Sequence, residues 1–250
     1  MIVNPFASDP AARRYAAGRP DCSSLVAGVI RGLTPRTPVH LALDVGCGTG
    51  ISTRALAPFA ERVVGIEPSA GMLAHASSPA NGWLVAAKAE QMPLPDRCCG
   101  LIGVGSALHW FEQDPFLAEL DRVAREDADL VIFDHWFTGT MRGCPEFADW
   151  FRSYLDRYPS PPRDRSWSPP GDLGSWSFVG LQRYDHPVAM TSDRLACYLL
   201  SQSNLQVIAD GGQSDEAELR QWLLEELRMF FVQGRNSVVQ FGGMVAHLVR

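Results

Sequence analysis

Apolar residues along this chain change period repeatedly, and each change marks a predicted strand or helix. Leu41, Leu43 and Val45 alternate with other residues before a glycine-rich break, which predicts a strand ending near Val45. Short apolar runs predict further strands at 62–66, 83–87, 100–104 and 128–134. Helical signals fall at 25–33, 51–59, 70–76 and 115–126. In the last of these, Phe116, Leu117, Leu120 and Val123 form one stripe, and Asp114 before Pro115 reads as an N-cap followed by a proline at the first helical position. Strands alternating with helices imply a parallel sheet covered on both faces. After His135 the pattern loosens. Trp136, Trp150, Trp167 and Trp176 stand among Pro159, Pro161, Pro162, Pro169 and Pro170. The reading there is a short helix at 147–154, a proline-rich loop at 158–174, a strand at 181–189, helices at 192–203 and 215–232, and a last strand at 238–249. The change of pattern divides the chain into 1–135, 136–180 and 181–250.

The most specific chemistry lies in Ala42-Leu-Asp-Val-Gly-Cys-Gly-Thr-Gly50. Gly46, Gly48 and Gly50 follow the first strand, where a sharp turn and the close approach of a ligand to the main chain both favour glycine. Glu67 ends the next apolar run, 21 residues after Gly46, where a ribose-binding carboxylate belongs. A nucleoside across two strand ends is the expected ligand. A dinucleotide fingerprint needs glycine or alanine at 51, where this chain has Ile51. Asp44 would repel a pyrophosphate and suits an ammonium instead. S-adenosylmethionine carries an adenosine, an ammonium and a sulfonium but no phosphate.

This run, in the spelling D-V-G-C-G-T-G, resembles motif I of class I S-adenosylmethionine-dependent methyltransferases, of the type 11 kind. The segments 63–73, 86–96 and 101–111 resemble the family's following motifs, and Leu195–Ser203 is loosely similar to members related to trans-aconitate methyltransferases, which esterify small carboxylic acids. The resemblance implies a doubly wound α/β fold, with a Rossmann-like, mostly parallel sheet of seven strands whose last strand is antiparallel, and an inserted aromatic and proline-rich cap. It implies that Glu67 binds the ribose hydroxyls, and that Ala89 and Glu90, with Gln91, meet the adenine amino edge. Gly46, Cys47, Gly48 and Gly50 would face the donor with Asp44 and Ser106, while Met72, after Pro68, would cover an adenine face or simply fill the core. Tyr15 and Arg19 resemble a segment that folds over the donor, with Arg19 pairing its carboxylate or standing in solvent. Trp110, Phe111 and Trp136 are candidates for an aromatic wall that meets the substrate and holds the cationic methyl. His109 is the candidate general base, an imidazole titrating near pH ~6.5, or a group that only bonds backbone.

Composition narrows the rivals. With 250 residues, 46% of them hydrophobic, the chain suits one α/β core with an insertion. A net charge of −6 without a basic run gives no footprint for nucleic acid. Six cysteines lack C-x-x-C spacing, so neither a metal nor a disulfide framework is expected; Cys98 and Cys99 read as reduced thiols at a strand start. No signal core and no stretch long enough to span a bilayer is found, so the expected setting is the cytoplasm, with a small-molecule acceptor, no membrane partner, and a monomer or homodimer. Arg152, Arg157, Arg163 and Arg165 are read as solvated cations or anion contacts. The asparagine-proline-proline-aromatic signature, a proline-cysteine nucleophile after the fourth strand, H-E-x-x-H, a P-loop and a serine elbow are all absent. Two alternatives stand beside the methyltransferase: an NAD(P)-dependent oxidoreductase, and a protein that binds the donor without turnover.

Overall fold

A computed structural model describes residues 6, 8–34, 38–161, 173–231 and 235–250. Pro162, Arg163, Arg165, Trp167, Pro169 and Pro170, and with them part of the expected cap, lie outside the described residues. Helices α1 (Asp9–Gly18) and α2 (Ser23–Leu33) precede strand β1 (Val39–Val45). Then come α3 (Ile51–Leu56), β2 (Ala60–Glu67), α4 (Ala70–Ala74), β3 (Gly82–Ala86), β4 (Cys99–Gly105), α5 (Gln113–Val123) and β5 (Ala124–Met141). The chain continues through α6 (Glu146–Arg157), β6 (Ser177–Met190), α7 (Ser192–Leu200), α8 (Ser203–Asp210), α9 (Glu216–Leu227) and β7 (Ser237–Val249).

Seven strands form one sheet in the order β3-β2-β1-β4-β5-β7-β6. The pairs β2–β3, β1–β2, β1–β4 and β4–β5 are parallel. Strand β7 runs against β5, because Arg142 N–H bonds the Val238 carbonyl while Arg250 N–H bonds that of Ala128. The expected mostly parallel, seven-stranded α/β sheet is therefore present. In β1 the alternation gives way to four successive buried residues, Ala42 to Val45, as befits a central strand covered on both faces.

The described residues fall into two compact units. One comprises those up to residue 20, 136–161 and 185–242; the other comprises 21–135, 173–184 and 243–250. Strands β5, β6 and β7 each contribute residues to both. In the second unit one sheet face packs Leu43, Val45, Ile102, Val104 and Ile132 with Phe116 and Leu120 of α5. The other face packs Ala42, Val63, Leu101 and Val131 with Val26 and Ile30 of α2 and Leu56 of α3. Each fully buried Leu, Ile or Phe stabilises by about 1.5–3 kcal/mol, so these two layers dominate the folding of that unit. The first unit has its own core of Phe137, Phe147, Tyr198, Leu199, Leu223 and Phe241.

Three expectations need correction. Helix α5 begins at Gln113 with Glu112 as its N-cap residue, so Asp114 and Pro115 lie inside the first turn, and Asp114 caps nothing. The Glu112 N–H donates to the Glu90 carboxylate at 2.9 Å, which fixes the entry to the helix two residues early. Strand β5 does not stop near Asp134 but runs 18 residues to Met141. Phe137, Gly139 and Met141 are buried while Trp136, Thr138 and Thr140 are exposed, a period of two whose glycine and threonines hide it from an apolar count. The helix expected at 192–203 ends at Leu200, where Ser201 Oγ–H bonds the Tyr198 carbonyl at 2.6 Å, and a separate helix, α8, follows.

Candidate active site at the carboxyl ends of β1, β2 and β4

Parallel strands place their carboxyl ends together, and in such sheets ligands bind there. Asp44 sits near the end of β1, opposite Gly65 of β2 and Gly103 of β4. Neither neighbour has a side chain, and α3 packs into the space: a Cβ on Gly103 would meet Leu56, and one on Gly65 would meet Thr53 Oγ1 at 2.9 Å. This close approach brings Ser52 and Thr53 onto the buried carboxylate. Both hydroxyls donate to the same oxygen, Oδ2, at 2.7 and 2.6 Å. The other oxygen, Oδ1, is buried and has no partner. Burial, opposed by the two hydroxyls and reinforced by the charge of Glu67, pushes Asp44 up to about 6.

The glycine loop follows directly. Gly46 has φ of 73°, and a Cβ there would stand 2.6 Å from that of Ala107 and 3.1 Å from the Phe111 ring, so this glycine seats the loop after β4. Gly48 has φ of 52° and open space beside it, the nearest atom being the Met72 methyl at 3.5 Å. The Gly48 N–H donates to Glu67 Oε2 at 3.1 Å, and the Ser69 N–H donates to Glu67 Oε1 at 2.9 Å. Two backbone bonds thus fix the carboxylate plane, while each oxygen keeps lone pairs for a further donor. Burial raises the Glu67 carboxyl above its ordinary value, with those two N–H groups opposing. Cys47 is buried, and burial beside Asp44 and Glu67 pushes its thiol up, away from any nucleophilic role.

Met72 is buried on α4, whose N-cap Ser69 accepts the Met72 N–H at 3.2 Å, with Pro68 just ahead. Ala89 is buried in the same cluster as Val45, Ala107 and Phe111. Glu90 is committed to the Glu112 N–H, and Gln91 folds back with its N–H on the Lys88 carbonyl. The segments 89–91 and 107–112 are therefore joined. Ser106 takes a φ of 51°, which costs a non-glycine residue energy and clusters at functional sites. It is held there by its N–H on the Phe133 carbonyl at 2.8 Å and by the His135 N–H on its hydroxyl at 3.4 Å. His109 and Trp110 follow on a single turn, their rings 4.7 Å apart, while Phe111 packs on Phe116.

Three expected site residues belong to the other unit. Arg19 lies over the rings of Tyr15 and Tyr198, its guanidinium carbon 4.7 and 5.2 Å from their centres, and donates to the Ser201 carbonyl. Its Nε is buried without a partner. Trp136 is 38% exposed on β5. Arg152 pairs with Asp149 on the surface, and Arg157 stacks on Tyr158 and Trp222. Sequence reasoning missed Ser52, Thr53, Gly65 and Gly103. The signal for the first two was two hydroxyl residues in the first turn after the glycine loop. Among the described residues no group of three His, Cys, Asp or Glu side chains is placed to hold a metal, and no helix is long and apolar enough to cross a membrane.

Comparison with known proteins agrees with this geometry. A family model described as a methyltransferase domain matches residues 43–132. A protein of Dictyostelium discoideum named as a methyltransferase is 37% identical over 102 residues, 41% of this chain and 38% of that protein. The malonyl-[acyl-carrier protein] O-methyltransferase of Serratia marcescens is 31% identical over 114 residues, 44% of each chain. The matched region thus spans less than half the length of either relative. In fold, a structure from Anaeromyxobacter dehalogenans described as a type II methyltransferase superposes with a TM-score of 0.69 at 23% identity, covering 88% of this chain and 94% of that one. Residues 43–132 of this chain thus match a methyltransferase domain, set in a fold shared with a solved methyltransferase.

Proposed function

We propose that the protein transfers the methyl group of S-adenosylmethionine to a small-molecule acceptor, a carboxylic acid or a hydroxyl compound. The observation that carries this reading is the pair of buried carboxylates at the ends of β1 and β2, one with an unpartnered oxygen and one pinned by two N–H groups. A cationic ligand with a vicinal diol and no phosphate suits that pair. Glu67 would accept both ribose hydroxyls, and Asp44 Oδ1 would accept the donor ammonium. Gly48 leaves the main chain open beside Met72, where an adenosyl group would lie. Ala89 lines the adenine end, together with the backbone of Glu90 and Gln91, and Ser106 turns the 107–111 loop toward the donor.

Bound S-adenosylmethionine supplies an electrophilic methyl carbon, so the residues around it chiefly orient the reactants and exclude water. Trp110 offers a π face to the cation. Phe111 serves by packing, since its ring seats against Gly46 and Phe116. His109 is the group to take a proton from a hydroxyl acceptor; a carboxylate acceptor needs no base. Arg19, with one buried N–H unspent, is suited to a ligand carboxylate, and Trp136 offers an exposed ring to an acceptor. The O-methyltransferase relative and the likeness at 195–203 favour a carboxylic acid, and a charge of −6 without a basic run disfavours nucleic acid.

Calorimetry with S-adenosylmethionine, S-adenosylhomocysteine and NADH tests the donor. Binding of the first two and none of the third is expected; the reverse order overturns the proposal. Incubation of the protein and labelled donor with a metabolite extract then identifies the acceptor, and esters that release label on mild base treatment are the expected products.

A further inference from the structure

Cys98 and Cys99 stand at the amino end of β4, the far end of that strand from Ser106. Consecutive side chains of a regular strand point to opposite faces. These two do not: their Sγ atoms are 3.5 Å apart. Two distortions bring them together. Arg97 adopts a φ of 50°, uncommon for any residue with a side chain, and is held there by its N–H on the Arg122 carbonyl at 2.8 Å. The pairing of β4 with β5 also slips between Cys99 and Leu101. The result is a pair of free thiols, one half-buried and reachable, the other buried behind it.

The pair is chemically asymmetric. Hydrogen bonding from Cys99 lowers the Cys98 thiol below its ordinary value; burial opposes this and Arg122 assists. The same hydrogen bond and its own burial raise Cys99. Arg122 is fixed beside them by Glu119 at 2.7 Å and Asp96 at 2.9 Å. The other two cysteines of this unit are unlike it, for Cys22 and Cys47 are buried and burial raises both thiols.

We propose that Cys98 and Cys99 are a peroxide-oxidisable vicinal dithiol, a modification site apart from the glycine loop. The Cys98 thiolate attacks one oxygen of hydrogen peroxide; an S–O bond forms, the O–O bond breaks, and the departing hydroxide takes a proton to become water. Cys98 is then a sulfenic acid. The Cys99 sulfur attacks it, the S–S bond forms as the S–O bond breaks, and the Cys99 proton leaves with the hydroxide as a second water. Two thiols lose two electrons in total, and one peroxide gains them. Adjacent Cα atoms are only about 3.8 Å apart, closer than the roughly 4.4–6.8 Å that disulfides favour, so the ring closes under strain and a dithiol reductant reopens it readily.

The test uses the full chain and hydrogen peroxide at an equimolar level, followed by proteolysis without reduction and mass spectrometry. The fragment holding residues 98 and 99 is expected to become lighter by two hydrogens, and to recover on treatment with dithiothreitol, while those holding Cys22 and Cys47 stay unchanged. Cys99→Ser should stop at the sulfenic acid, one oxygen heavier and trapped by dimedone; Cys98→Ser should leave Cys99 untouched. Phenylarsine oxide, which needs two neighbouring thiols and no oxidant, should bind the parent protein and neither variant. A fragment that only gains oxygens, a covalent dimer through Cys98, or failure to bind the arsenical overturns the proposal. Unchanged binding of S-adenosylhomocysteine shows that both variants are folded.

Discussion

The glycine-rich loop region and the helical unit both bury charged side chains, yet they complete them differently. In the first unit, which holds α1 and α6 to α9 and is the helical one, Arg14 of α1 is buried with a partner on every nitrogen: its Nε bonds Gln206 at 2.5 Å, one Nη bonds Glu216 at 3.1 Å and the other bonds Asp210. Asn204 of α8 is likewise closed, giving its amide to the Tyr154 hydroxyl at 3.0 Å and the Tyr158 carbonyl at 2.9 Å. At the end of β1, Asp44 has two donors on one oxygen and none on the other. Folding alone rarely leaves a buried polar atom unmatched, because each costs about 1–3 kcal/mol. The open valence at Asp44 therefore reads as room kept for a ligand, and the closed set at Arg14 as architecture. Arg19 is the exception in the helical unit, with its unpartnered Nε, and the same logic is why the proposed function gives it a ligand carboxylate.

The largest effect that sharpens this contrast is expected at Arg14. Arg14→Ala removes the guanidinium's bonds to Asp210, Glu216 and Gln206, while Ser8 still bonds Asp210 and Arg13 still bonds Glu216. Because Asp210 and Glu216 are each about one-third exposed, the loss belongs at or below the low end for broken buried pairs, about 2–3 kcal/mol of unfolding free energy. Denaturant unfolding measures it. A loss within surface-substitution scatter, about 0.5 kcal/mol, breaks the contrast.

Next in size is Glu67→Ala, read on binding rather than stability. Two charge-assisted bonds to the ribose disappear, worth about 1.5–3 kcal/mol, so the donor Kd should rise about 10- to 150-fold. Calorimetry with S-adenosylhomocysteine checks this, and an unchanged Kd removes Glu67 from the site.

Why Glu67 was legible beforehand, and Ser52 was not, follows from what each signal depends on. A glycine loop between an apolar strand and a helix, with an acid ending the next strand, is a local pattern, and the structure has Asp44 and Glu67 near strand ends with Gly46 and Gly48 in the loop after β1. The seven-stranded sheet was legible for the same reason. The hydroxyls of Ser52 and Thr53 matter only because Gly65 and Gly103 let α3 approach Asp44, a fact of strand register that no window of sequence holds. Gly46 looked like room for a ligand, yet Ala107 and Phe111 fill that space. The tail of β5 was missed because Gly139, Thr138 and Thr140 interrupt its apolar count while its burial still alternates.

Asp44→Asn should separate binding from folding. An amide keeps an acceptor for Ser52 or Thr53 and removes a charge whose burial is unfavourable, so unfolding free energy should hold or rise. The donor ammonium loses its counter-charge, and the Kd should rise about 5- to 30-fold, or about 1–2 kcal/mol. Thermal unfolding and calorimetry on one preparation read both. A variant that loses stability without losing affinity makes Asp44 a structural group like Arg14.

The smallest effect is the most diagnostic, since it turns on sign. Asp44 is raised from 3.8 to about 6 in the folded protein, so its protonated form is favoured by folding. That contribution to stability is whole below pH 3.8 and is lost as pH rises through about 6. Donor binding runs the other way. An ammonium favours the carboxylate, so below about pH 6 binding must first remove a proton, and affinity should fall about tenfold between about pH 7 and about pH 5. Glu67, also raised by burial, adds to the fall in the same direction. In Asp44→Asn the Asp44 share of that slope should vanish, leaving a shallower profile. A flat profile in the parent protein, or one of equal slope in the variant, means the ammonium is held elsewhere and the unpartnered oxygen at the end of β1 awaits a different donor.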